Sequence, residues 1–455
     1  MKAGFAFGDI TPELGIYLTG YGNPERLAEG VHSPLRATAM VLADGATEAA
    51  VVSLDWCGIS EELASAMHHA INEATGIPAD HILVCATHTH SAPQVFARRT
   101  LSRTDVDPEH RGEAYARRMI PVIVETVQQA KNNMREAVAG FGLTKSKTGV
   151  SRRGMNENGK VSHFIADPYL PCDDNMTVVR FLDKETREDI GIFIHYGCHN
   201  TCQGSNRLIS SDWCGMMRER VSNSYHTTVM FVNGSEGDVG PNTNRPVKAE
   251  GIFGYSAGGG DGERSVLEVG LRAATDALRA LSDIRDFQAA LPLRVRSQEI
   301  RLPQALPYDE ATVQERVNKY ESSGGTAIPE VDYQVAKRVL EHWHLPPQPE
   351  LVFVQTLIAF GPVALAPFPF EMFSIFSLRL RKYGPFAYNL LCSCSNGGNG
   401  YLPDRSAIAA GGYEITWRER VRAYVTTPEA GDVAITQTLA SLRKLASCER
   451  TTNGH

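Results

Sequence analysis

Apolar residues recur at helical spacing through 61–75 (EELASAMHHAINEAT), and the pattern stops before Gly76, which predicts a helix closed by a glycine C-cap. The next apolar run, 81–86 (HILVCA), has no helical period and predicts a buried strand. A long amphipathic helix is expected from about Pro108 to Met134, with further helices over 212–223, 263–282, 308–322, 329–343, 371–383 and 428–446. Strands are expected at 36–43, 49–54, 137–149, 176–182, 190–195, 227–232, 288–301, 351–359 and 362–367. Helices and strands that alternate in this way predict an α/β fold of mixed β-sheets covered by helices.

One element recurs three times: two strands joined by a short turn, then a polar residue where the second strand ends. The polar residues are Asp55, His199 and Glu371. Coincidence in an α/β chain would produce this, and so would a partly duplicated scaffold that aims strand ends into one cleft, where α/β folds place their sites. Glycine concentrates in 254–262 and 397–412, which read as loops around such a cleft or as plain surface loops.

Size changes the picture. With 455 residues the chain exceeds the roughly 250–300 at which one core stops growing. We therefore expect either one large two-lobed body over 1–455, with sub-lobes 1–285 and 286–455, or two closely packed domains. A net charge of −7 supplies no basic face for nucleic acid, and no apolar run reaches the roughly 20 residues of a membrane span, so neither nucleic acid nor integral membrane contact is expected. Nine scattered cysteines read as reduced thiols rather than a disulfide framework. Cys392 and Cys394, two apart on a strand-like stretch, are expected on one side of it. The opening MKAGFAFGDITPELG has neither the basic nor the long apolar region of a secretory signal, so the expected location is cytoplasmic. Oligomeric state is left open.

Candidate chemistry falls into four segments. In ATHTHSAP (86–93), His88 and His90 are two apart after a strand, so in extended chain both rings leave on one side. They would share a metal, or one would ligate while the other faces the substrate. In HYGCHNTCQGSNRLISSDW (195–213), His195 lies inside the strand pattern and reads as a core residue, whereas His199 sits in a polar turn and reads as a ligand. Asp212 is either a helix cap or a partner behind the site. NGSEGDVGPN (233–242) follows a buried strand, and its small residues would let backbone N–H groups approach a ligand. In the fourth, PFPFEMF (367–373) with 394–414, Glu371 opens a helix pattern, where the helix dipole alone would favour it; Tyr401 and Tyr413 fall in loops.

Taken together, ATHTHSAP, the His-x-Thr turn followed by LISSD, GDVGPN, the Pro-x-Glu segment and two tyrosines twelve apart resemble the neutral/alkaline ceramidase family, in order and in approximate spacing. FGDITPELG and GYG look like that family's N-terminal segment, so the resemblance runs from about residue 4 to about 415. It implies a ceramidase-like catalytic body that holds one Zn²⁺ per chain through His88, His199, Glu371 and Tyr401. It further implies that His90 and Tyr413 line the substrate amide, and that an arginine of SRRG assists them, Arg152 matching better than Arg153. Asp212, Asp238 and Asn242 would support these groups from surrounding loops. Nitrogen and oxygen donors of this kind suit zinc, and one glutamate leaves the ion electrophilic enough to activate water. His90 would then handle protons, and Tyr413 with Arg152 would stabilise the oxyanion.

Three departures qualify the resemblance. Gly240 stands where those ceramidases have serine, which removes that hydroxyl as a nucleophile and leaves Ser235 as the one substitute in the loop. Nothing after about 420 looks like their C-terminal β-domain, and the secretion signal usual among them is missing. The expectation is a zinc-dependent hydrolase that cleaves a small N-acyl amine with metal-activated water. The alternatives are a non-catalytic metal- or ligand-binding member of the fold, or a metal-dependent esterase or phosphoesterase, the last marked by two adjacent metals and more aspartates. Phe368, Phe370 and Phe373 would line an acyl groove or simply pack the core.

Overall fold

The computed structural model describes residues 1–447 except 22–25, 96–106, 108, 162–163, 244–245, 250–251 and 256. An eight-stranded sheet runs in the order 229–233, 189–196, 175–183, 135–145, 2–9, 36–43, 48–54, 82–86. Its outermost pairs are parallel (Val229–Asn233 with Asp189–Tyr196, Glu48–Leu54 with Ile82–Ala86), and the inner pairings are antiparallel. A five-stranded sheet, in the order 388–392, 363–367, 350–360, 293–305, 425–426, lies beyond residue 285.

The burial pattern explains the layering. Along Ile82–Ala86, Ile82, Val84 and Ala86 point into a core shared with the helices Glu61–Thr75 and Arg111–Asn132. Leu83 and Cys85 point the other way, into a core that also contains Ile358, Phe360, Leu365 and Leu390 of the second sheet. Period-two geometry with both faces covered turns such strands into uninterrupted apolar runs. The outer face of the second sheet packs under the helices Ser374–Tyr383 and Ala430–Ser447, and Asp212–Tyr225 with Glu263–Ser282 cover the far end of the first. The result is helix, sheet, sheet, helix, the mixed α/β architecture that the alternation predicts.

Several elements follow their sequence signals closely. The helix Glu61–Thr75 starts on Ser60, whose side chain accepts from the Leu63 amide, and ends on Gly76 at φ 74°. The three predicted strand pairs are antiparallel hairpins, and their ends converge. The N-terminal part of the helix expected from about Pro108 begins instead at Arg111, Pro108 lying outside the described residues.

Four expectations are corrected. Glu371 does not open a helix: Glu371–Met372 forms a short parallel pair with Tyr401–Leu402, and the helix starts at Ser374. The Glu371 amide donates to the Gly400 carbonyl, a partner from a segment about thirty residues on, which overrides the local helix pattern. Tyr401 and Tyr413 are not loop residues either; Tyr401 lies in that pair and Tyr413 begins the helix Tyr413–Val421. Cys394 does not share a side with Cys392, because its φ of 48° turns the chain out of extension. His88 is likewise not extended: its φ is 66°. The eight described cysteines are free thiols, and Cys448 lies outside the described residues.

Candidate metal centre and its cleft

Three strand ends meet beneath a cleft of about 1790 Å³, which His88 and Glu371 line and the fully buried His199 does not. His88 follows the strand Ile82–Ala86, His199 follows Asp189–Tyr196, and Glu371 follows Val363–Pro367. His88 Nε2 lies 3.4 Å and His199 Nε2 3.2 Å from Glu371 Oε2. Both imidazoles are fixed from behind: His88 Nδ1 donates to the Cys57 carbonyl, and His199 Nδ1 donates to the carbonyls of Glu236 at 2.7 Å and Val239 at 3.1 Å. Each ring therefore carries a proton on Nδ1 and turns Nε2 toward the carboxylate. Burial lowers His88, but Cys394, Cys57 and Glu371 together raise it well above its ordinary range, a pull toward positive charge at Nε2 that a cation would answer. Burial pushes His199 down to about 3, with help from Arg152, so its imidazole is neutral.

These residues fit a metal ion. His199 Nε2 and Glu371 Oε2 are buried without a hydrogen-bond partner, an expensive state unless something else satisfies them. Bonds of about 2.0–2.1 Å place tetrahedral donors on zinc about 3.3–3.4 Å apart, the spacing found between these atoms. Ligating histidines also present their second nitrogen to a carbonyl or carboxylate, as here. Among the described residues, every group of three His, Cys, Asp or Glu with donors close enough to share an ion contains His88, which describes one centre rather than two.

Tyr401 and Arg152 stand beside this cluster. Arg152 Nη2 donates to the Tyr401 hydroxyl at 3.0 Å and to the Gly237 carbonyl at 3.0 Å, while its Nε bonds Glu414 Oε1 at 2.9 Å. Burial and Glu371 raise the Tyr401 phenol well above its ordinary range, and Arg152 opposes them. Arg153 binds the other Glu414 oxygen and the carbonyls of Ala407 and Gly411. Arg152 lines the cleft and Arg153 does not, which separates two neighbours that the sequence leaves open.

His90 differs from the two fixed histidines. Its Nε2 lies 3.1 Å from His88 Nε2, yet its Nδ1 is buried without a partner. Its ring is placed by packing: a Cβ on Gly20 would fall 2.4 Å from its Cγ, and Tyr21 meets it edge-on at 5.1 Å. Arg26 Nη1 donates to its carbonyl at 3.0 Å. Tyr413 lies across the cleft, 6.2 Å from Tyr401 between ring centroids. The convergence of His88 and His90 comes from a left-handed turn at His88, not from the period of an extended strand.

The remaining sequence candidates sit behind the site or away from it. Asp212 accepts from the amides of Cys202, Gln203 and Trp213 and so ties down the turn that carries His199. Asp238 accepts from the amide and hydroxyl of Ser374 at the start of a neighbouring helix. Asn242 bonds the 147–148 backbone and does not line the cleft. His195 donates to the Leu391 carbonyl at 2.7 Å within the core, as its strand position predicts. Sequence reasoning missed Glu414, the buried counter-ion of both arginines; two adjacent arginines entering a core were the signal for it. It also missed Glu236 and Cys394, bonded to each other at 3.1 Å beside His88. Burial raises Glu236 to about 7.

Gly240 is required by packing. A Cβ there would lie 1.5 Å from the Ala257 carbonyl oxygen, so the serine found in the family's motif has no room. Gly240→Ser is expected to destabilise the fold by about 1–3 kcal/mol or more, read as a fall in Tm, with no gain of activity. An unchanged Tm would show that the 257 segment yields freely. Ser235 is buried and does not line the cleft.

Residues 1–253 match the family model described as neutral/alkaline non-lysosomal ceramidase, N-terminal. Neutral ceramidase A of Dictyostelium discoideum is 27% identical over 269 residues, covering 55% of this chain and 37% of that protein. Neutral ceramidase of Drosophila pseudoobscura pseudoobscura is 24% identical over 273 residues, covering 54% and 36%. The chain thus spans little more than a third of the length of these relatives. The crystal structure of neutral ceramidase from Pseudomonas aeruginosa superposes with a TM-score of 0.72 at 19% identity, over 99% of this chain and 74% of that one, which establishes a common fold. The matched segment contains His88, His90, Arg152 and His199; Glu371, Tyr401 and Tyr413 lie beyond it, placed beside them by the fold. By this match, the chain belongs to the neutral/alkaline non-lysosomal ceramidase family.

Proposed function

We propose that the protein is a zinc-dependent amidohydrolase that cleaves the amide of an N-acyl amine with water. The observation that carries this reading is the pair of carbonyl-fixed imidazoles turning Nε2 on one carboxylate at 3.4 and 3.2 Å, at the base of a cleft that His88 and Glu371 line. His88, His199, Glu371 and Tyr401 would hold the ion, which when bound acidifies water and polarises a carbonyl. Arg152 and Tyr413 present positive charge and a hydroxyl where the carbonyl oxygen becomes an oxyanion. His90, whose Nε2 faces the cluster, takes the proton from water and returns it to the leaving amine. The products are an amine and a carboxylic acid. A single centre argues against a two-metal phosphoesterase, and an unclaimed imidazole beside the ligands argues against a site kept only for binding.

A soluble, polar amide suits the cleft better than a two-chain lipid. Arg117, Arg338, Arg420, Arg422, Glu61, Glu62, His68 and His69 line it, and alkyl chains laid against such groups would desolvate them without compensation. Its volume admits a large ligand and more of its lining is apolar than polar, so the charged groups alone carry this choice. Phe368, Phe370 and Phe373 belong to the core under the second sheet, and of the three only Phe370 lines the cleft. Among the described residues no helix is long and apolar enough to cross a membrane.

The test is kcat/KM for long-chain ceramide in detergent against a panel of soluble N-acyl amines, with rapid-quench measurement of amine release. The expected result is a preference for the soluble panel and no stoichiometric burst, because neither position 240 nor Ser235 offers a reachable hydroxyl. Ceramide outpacing every member would overturn the substrate reading; a burst abolished by Ser235→Ala would overturn the direct attack of water.

A further inference from the structure

The cleft continues away from the metal cluster along the helix Tyr413–Val421, and that helix presents one stripe to it. Tyr413, Trp417, Arg420 and Val421 all line the cleft, at spacings of four, seven and eight residues that put them on one face. The Tyr413 and Trp417 rings stack with centroids 5.6 Å apart at 25°. With a rise of 1.5 Å per residue, Arg420 stands about 10 Å beyond Tyr413 along the helix axis. An aromatic surface therefore leads from the candidate oxyanion group to a guanidinium.

That guanidinium has no hydrogen-bond or ion-pair partner among the described residues, although Arg420 is half-buried. Its neighbours are engaged: Arg418 donates to Thr426, and Glu419 accepts from the Tyr308 hydroxyl. Two further arginines line the same end of the cleft without an ion pair. Arg338 donates to the carbonyls of Glu419 and Val421 and leaves its Nε buried without a partner. Arg422 donates to the Asn399 side chain, in the loop that leads to Tyr401. Burial lowers Arg338 to about 10 and lowers Arg422, for which Glu61 provides a partial offset. Arg422 thus has a partial counter-charge in Glu61, whereas Arg338 and Arg420 have no carboxylate partner among the described residues, and half-buried cations in that state are costly unless a ligand supplies the charge.

We infer that the substrate amide carries an anionic group, a carboxylate or a phosphate, about 10 Å from the scissile carbonyl. Arg420 holds this group with Arg422 beside it, and the connecting atoms lie against Trp417. The span corresponds to roughly three residue lengths of extended chain. A planar guanidinium meets either anion with two parallel hydrogen bonds. The inference rests on the amidase reading above and narrows its substrate class.

The test uses the zinc-loaded full chain and two series of N-acyl amines, one with the linker on the acyl side and one on the amine side. Each linker ends in a carboxylate, a phosphate monoester or the neutral methyl ester of the carboxylate. In at least one series the anionic members should exceed the neutral ester about tenfold in kcat/KM, and comparison of carboxylate with phosphate identifies the anion. The anionic-to-neutral ratio should collapse toward one in Arg420→Gln, survive in Arg420→Lys, and shrink with added salt. Equal or better turnover of the neutral ester in both series, or a ratio that Arg420→Gln leaves unchanged, overturns the inference while leaving the amidase standing. If no amide turns over, the amidase reading fails. Calorimetry of the same compounds then decides the inference by binding: tighter association of the anions, lost in Arg420→Gln, upholds it, and indifference to charge overturns it.

Discussion

Replacing His199 with alanine is expected to strip the protein of tightly held zinc and take hydrolysis to background. His199 is fully buried, its Nδ1 is committed to two carbonyls, and its Nε2 faces Glu371 Oε2 without any other partner. The other donors near His88 (Cys57, Glu236, Cys394 and His90) do not group with Glu371, and His90 is fixed by no carbonyl. Loss of a partner behind a ligand already costs 10–100-fold in metal affinity, and loss of a ligand costs more. The measurement is zinc content after dialysis against a chelator, with circular dichroism to confirm folding. His88→Ala should behave alike. Full zinc retention in both variants would sink the ligand assignment, and a folded, zinc-loaded variant without activity would move His199 into a catalytic role.

His90→Ala is expected to give the second largest effect, with the opposite signature: zinc retained, turnover reduced by roughly 10²-fold or more, the scale of a lost acid–base group. The contrast with His88 and His199 lies in the second ring nitrogen. Theirs is anchored, as ligand imidazoles require, whereas His90 Nδ1 is buried and unclaimed. Burial lowers His90 well below the ordinary histidine range, so its resting form is the neutral imidazole. The check pairs metal analysis with kcat and KM: a fall in kcat at constant zinc is expected, and zinc loss equal to that of His199→Ala would make His90 a ligand.

Much of the scaffold was legible because its causes are local. Ser60 and Gly76 bracket a helix by hydrogen-bonding and conformational rules that act within a few residues. The strands under the site were legible because burial on both faces leaves few polar positions in them, such as Ser53 and His195. Residue types at the site were legible as motifs, since histidine and glutamate in small polar turns after strands have few structural uses.

What stayed hidden depends on segments that meet from far along the chain. Glu371 looked like the start of a helix because its own neighbours favour one; the Gly400 carbonyl made it an edge residue instead. The sequence favours Arg152 over Arg153 without excluding the latter, and the two separate through distant partners: Glu414, more than 260 residues on, bonds each through a different oxygen, and only Arg152 reaches Tyr401. By itself the sequence determined the layered α/β frame and the inventory of donor groups, through periodicity, capping and side-chain chemistry. Only the tertiary structure decided which nitrogen of each histidine faces the carboxylate. That choice is made by the backbone carbonyls of residues 57, 236 and 239, and every residue carries a carbonyl, so no local pattern can mark the ones that packing brings behind a ring.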